Sequence, residues 1–107
     1  MKNKFVKIVV FVPETHSEII RTALHLAGAG QIGNYDNCTF ASKGIGRFRP
    51  PTGSNPFLGS QNQIEEVNEE KIETICPFNI YLQVIKAVKA AHPYEEPAID
   101  IIPLLNE

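Results

Sequence analysis

Phe5 to Val12 carries apolar residues on both faces of an extended chain. Val6, Ile8, Val10 and Val12 share one face, and Phe5, Val9 and Phe11 share the other, with Lys7 among them. A half-exposed antiparallel strand alternates apolar with polar residues, so this pattern predicts a central strand covered on both sides. The rest of the 107 residues must be arranged around it, because a chain of this length builds a single core.

Pro13 stops the strand. Thr15 and Glu18 have the spacing of a capping box, and Ile20, Ala23, Leu24 and Ala27 follow at helical spacing, with Ile19 and Leu26 widening the stripe. Gly28 or Gly30 supplies the left-handed residue that ends this helix. The glycines of Gly28 to Asp36 follow a helix rather than a strand, which suits turn geometry and not a phosphate cradle. Asn37 to Ser42 reads as a short strand. An irregular loop is expected at about residues 43–62, with turn signals densest from Lys43 to Gly59. Lys71 to Cys76 alternates as a strand, and Glu65, Glu66, Glu69 and Glu70 before it read as a solvated edge. Pro77 opens a second helix over Phe78 to Ala91, with Tyr81, Leu82, Ile85, Val88 and Ala91 on its apolar face. Ala98 to Leu105 is a final extended run.

The order β-α-β-β-α-β over a single domain, residues 1–107, predicts an α+β ferredoxin-like sandwich: a four-stranded antiparallel sheet with two helices on one face. Two helices cover only one side of that sheet. An apolar second side predicts a homo-oligomer, dimer or trimer, that buries it.

A net charge of −2 gives no electrostatic basis for a nucleic-acid or membrane partner. No apolar run reaches membrane-spanning length, and Met1-Lys2-Asn3-Lys4 does not open a signal peptide, so a cytoplasmic location is expected. Cys38 and Cys76 then read as buried thiols rather than a disulfide. His16 and His25 share no metal-ligand spacing. There is no nucleophile elbow, Cys-x-x-Cys, phosphate loop or His-Glu-x-x-His, and no enzymatic activity is expected. Catalysis by Cys38, or by His92 with Glu95, would need contacts that the sequence does not place.

His92-Pro93-Tyr94-Glu95-Glu96-Pro97 holds the densest set of polar groups. Pro93 makes His92 the last helical residue or the first beyond the helix, and two prolines leave the segment little freedom. The plainest reading is a stiff helix-to-strand connection with solvated charges; the sharper one is a site. At a helix C-terminus His92 should favour its protonated form. In an extended chain Arg47 and Arg49 point the same way and suit a carboxylate or phosphate, although solvated loop charges are the plainer reading. The candidate site for a small molecule or anion is Arg47, Arg49, His92, Tyr94 and Glu95. The alternative is a divalent metal, zinc or copper, on His92 and Glu95 with a ligand from a neighbouring subunit. Glu96 points away from Glu95 in an extended chain.

Three blocks together carry a resemblance: Gly28 to Cys38, then Gly46-Arg47-Phe48-Arg49-Pro50 with Gly53, Pro56 and Gly59, then His92 to Asp100. In this order they resemble the YqfO-type domain inserted in bacterial members of the NGG-one-interacting-factor-three-like family. The resemblance runs from about Phe5 to Leu104. It implies a fold similar to the PII signalling proteins and to CutA, both ferredoxin-like and trimeric, and a regulatory or ligand-binding role with ligands held between subunits. CutA carries a His-x-Tyr-Glu-x-Pro type segment that matches His92, Tyr94, Glu95 and Pro97. The family's two-metal site lies on flanking domains outside these residues, so the resemblance implies no hydrolase or cyclohydrolase activity for this stretch.

Overall fold

The computed structural model describes residues 4–105. Strand β1 (Phe5–Pro13) leads through a 3-10 turn (Glu14–His16) into helix α1 (Ser17–Ala27). Strands β2 (Thr39–Phe48) and β3 (Glu65–Pro77) follow, then a second 3-10 turn (Phe78–Ile80), helix α2 (Tyr81–Ala91) and strand β4 (Ile99–Leu104). The sheet order is β2-β3-β1-β4 with every pair antiparallel. The ferredoxin-like α+β plan expected from the element order is the plan observed, and β1 is central.

Val6, Ile8, Val10 and Val12 are each at most 1% exposed. They pack with Ile72 and Cys76 of β3 and with Ile20, Leu24, Val84 and Val88 from the two helices. The other face of β1 departs from expectation. Lys7 lies opposite Ile75 and Ile102, and Val9 opposite Glu73 and Asp100. Lys7 pairs with Glu73 at 3.7 Å. Val9 is buried among these side chains, whose apolar stems cover it. The uncovered face is thus mixed rather than uniformly apolar, with Phe40 and Ile102 as its exposed hydrophobic residues.

Both helices are entered in the same way. A proline with extended backbone, Pro13 (φ −54°, ψ 137°) or Pro77 (φ −58°, ψ 137°), feeds a 3-10 turn that continues as α-helix. The Thr15–Glu18 capping box does not form. The 3-10 turn moves the helix start to Ser17, and Thr15 Oγ1 lies 2.8 Å from His16 Nδ1 instead. Gly28 ends α1 at φ 110°, with its N–H donated back to the last turn. Pro103 sits in β4 opposite Val6, acceptable because β4 is an edge strand.

The largest correction concerns residues 43–62. β2 continues through Lys43 and two glycines to Phe48, and β3 begins at Glu65, so the irregular arm is only residues 49–64. The carboxylate of Glu69 occupies the space where a Cβ on Gly46 would project, so a side chain there would displace it. Nor is the acidic run a solvated edge throughout. Glu70 receives Arg21 at 3.3 Å, and Glu69 receives the Tyr94 hydroxyl. Both cysteines are free; Cys76 is buried, which pushes its thiol up to about 11, and Cys38 is partly exposed.

Candidate functional site

Pro93 ends α2 by forcing His92 into extended geometry (φ −75°, ψ 138°). The imidazole then turns inward and is 7% exposed. Its Nε2 lies 2.7 Å from the Phe11 carbonyl oxygen, and the Tyr94 N–H donates to Nδ1 at 3.1 Å. A carbonyl only accepts and an amide N–H only donates, so Nε2 carries the proton and the ring is neutral. Burial lowers its pKa, outweighing the bond to Phe11 and the charge of Glu69, which act upward. The protonated form expected at a helix C-terminus is therefore not favoured. His92 is a strut between β1 and the connection to β4.

That strut fixes Tyr94, whose ring centroid is 5.1 Å from that of His92. Its hydroxyl donates to Glu69 Oε2 at 2.7 Å. Burial, followed by the bond to Glu69 and its charge, pushes the phenol's ionisation up. Tyr94 thus presents a neutral ring.

The ring of Tyr94 forms one wall of a cavity of about 530 Å³. Phe11 and Phe48 come from the sheet, Phe57 and Leu58 from the 49–64 arm, and Glu69 from β3. Phe48 and Phe57 lie 5.9 and 6.5 Å from Tyr94, centroid to centroid, and Phe57 meets His16 edge-on at 5.1 Å. The arm is pinned. The Asn55 N–H donates to Glu95 Oε1 at 2.9 Å, Asn62 Nδ2 to Thr52 Oγ1 at 2.8 Å, and Gln61 Nε2 to the Ser54 carbonyl at 2.8 Å.

Of the five residues singled out in the sequence, Arg47, Tyr94 and Glu95 line this one cavity. Arg49 does not; its Nη1 donates to Asn62 Oδ1 at 3.3 Å. His92 lies behind Tyr94 and supports the wall without lining it. The metal pair is not built: both nitrogens of His92 are engaged by backbone, and Glu95 accepts from Asn55. Among the described residues no three His, Cys, Asp or Glu side chains gather as a metal site. Cys38 lies against Gly30 and Thr74, away from the cavity. The sequence reading missed Phe11, Phe48, Phe57 and Glu69. The aromatic weight of residues 43–62 was a usable signal for Phe48 and Phe57, whereas Glu69 in an acidic run carried none.

A ferredoxin-like sandwich of this topology defines the fold class, shared with CutA proteins. The CutA of Archaeoglobus fulgidus, a periplasmic divalent cation tolerance protein, superposes with a TM-score of 0.66 at 20% identity, over 96% of this chain and 86% of that one. No family model matches the chain. A protein named GTP cyclohydrolase 1 type 2 homolog from Halalkalibacterium halodurans is 55% identical over 101 residues, which is 94% of this chain and 27% of that protein. A Bacillus cereus protein related to NIF3 superposes with a TM-score of 0.83 at 51% identity, over 97% of this chain and 26% of that one. The chain thus spans about a quarter of the length of these relatives.

Proposed function

We propose that this domain is a small-molecule-binding regulatory module, acting as a homo-oligomer and without a catalytic step of its own, equivalent to the insert segment of NIF3-related proteins. The observation that carries the reading is the cavity. Its volume lies within the roughly 300–1,000 Å³ of small-molecule sites, and its apolar walls join the sheet, the arm and the Tyr94–Glu96 connection. A ligand there touches three separate parts of the chain, so occupancy changes how firmly the arm is held against the sheet. The cyclohydrolase name of the relatives belongs to proteins of which this chain matches about a quarter. Self-association is supported by Phe40 and Ile102, exposed at 68% and 46% on the uncovered sheet face.

Thermal unfolding against a panel of small metabolites tests the binding reading. A compound at about one hundred times its Kd adds about 2.7 kcal/mol, a rise on the order of 10 °C in a domain of this size. At least one compound should produce it, and Phe57→Ala should abolish it. A broad panel without a shift, or a shift unchanged in Phe57→Ala, counts against the reading.

A further inference from the structure

We infer that this cavity selects an organic cation, a protonated amine or guanidine carried on an apolar or aromatic body, rather than an anion. The inference rests on the reading of the cavity as a ligand site and adds the ligand's chemistry. The sequence suggested an anion because Arg47 and Arg49 stand two residues apart. In the structure Arg49 is turned to Asn62 and leaves Arg47 as the cavity's single cation among the described residues. Three carboxylates line the same space: Glu69, Glu95 and Glu96. Lys43 and Lys71 line a smaller neighbouring groove of about 340 Å³, which shares Phe11, Gly46 and Glu69 with the cavity.

Position strengthens the charge argument. Arg47 is exposed on β2, whereas Glu69 is half-buried, and a charge partly removed from water acts more strongly on its neighbours. Glu69 uses Oε2 to receive Tyr94 and sits beside Gly46, where the missing side chain leaves room for the carboxylate. The aromatic walls act in the same direction. The faces of Phe48, Phe57 and Tyr94 are negative poles that attract a cation and repel an anion. The Tyr94 hydroxyl offers an anion no donor, since its proton is already given to Glu69. An apolar body against the prolines and phenylalanines, with a positive head at Glu69 and the rim carboxylates, satisfies the apolar walls and the acidic groups and leaves Arg47 to solvent, where it is exposed on β2.

Three near-isosteric probes test it: benzamidine as the cation, benzamide as the neutral form and benzoate as the anion, each titrated calorimetrically at pH 7.5. The cation should bind at least about tenfold tighter than benzamide, and benzoate weakest. Glu69→Gln keeps an oxygen for Tyr94 and removes the charge, and should cancel most of the preference for benzamidine over benzamide. Glu96→Gln, on the exposed rim and harmless to folding, should reduce it in part. Equal binding of all three, or benzoate binding tightest, overturns the cation assignment while leaving a ligand site. Binding of none overturns the ligand-site reading and the inference with it.

Discussion

Replacing His92 with alanine removes a side chain that ties the end of β1 to the chain entering β4. The Phe11 carbonyl loses a bond of 2.7 Å and the Tyr94 N–H one of 3.1 Å. A buried polar group left without a partner costs about 1–3 kcal/mol, so the two together predict a loss of roughly 2–6 kcal/mol, a large part of the 5–15 kcal/mol typical of a domain. Urea unfolding at pH 8 measures it. The same contacts set a pH dependence. Folding lowers the imidazole pKa below its ordinary value of 6.5, so in acid the unfolded chain takes up a proton that the folded chain resists. The stability His92 provides is complete above pH 6.5 and declines as pH falls from there toward the folded pKa, by at most about 1.4 kcal/mol per pH unit. The difference between the parent protein and His92→Ala should therefore be largest near pH 8 and shrink toward pH 5. A variant within about 0.5 kcal/mol of the parent at pH 8, or a difference that grows in acid, would refute the neutral-strut account.

Gly28→Ala should lose about 1–2 kcal/mol in urea unfolding, because φ is 110° and a Cβ would come within 2.8 Å of Ile80 Cδ1. Cys38 should react with a disulfide reagent at pH 8 much faster than Cys76, whose thiol stays protonated; equal rates would contradict the burial of Cys76. Phe40→Glu and Ile102→Lys should each reduce the mass of the assembly in light scattering if the uncovered sheet face is where copies meet, and an unchanged mass would remove that surface from the account.

The parts of this fold legible in the sequence are those where period and punctuation agree. Phe5–Val12 has a two-faced apolar pattern that only a central strand satisfies, and Pro93 stops α2 within one residue of the expected place. The continuation of β2 beyond Ser42 and of β3 before Lys71 was not legible, because its rules are set across the sheet. Gly44 and Gly46 look like turn residues until Glu69 is seen to fill the space beside Gly46. Glu69 and Glu70 look solvated until their partners Tyr94 and Arg21 arrive from 25 and 49 residues away. The site followed the same division. Tyr94 and Glu95 lie in a stiff, polar segment that marked itself, whereas Phe11 reads as one more strand residue. The alternation of Arg47 and Arg49 suggested a shared direction in an extended chain, but β2 ends at Phe48 and Arg49 is turned to Asn62.

The most direct test of the central claim is a two-dimensional amide NMR titration of the protein with benzamidine. The account predicts saturable shifts at Phe11, Gly46, Phe48, Asn55, Phe57, Glu69 and Tyr94, around one cavity. Shifts scattered over the exposed edge of β2, or none at millimolar probe, would contradict it.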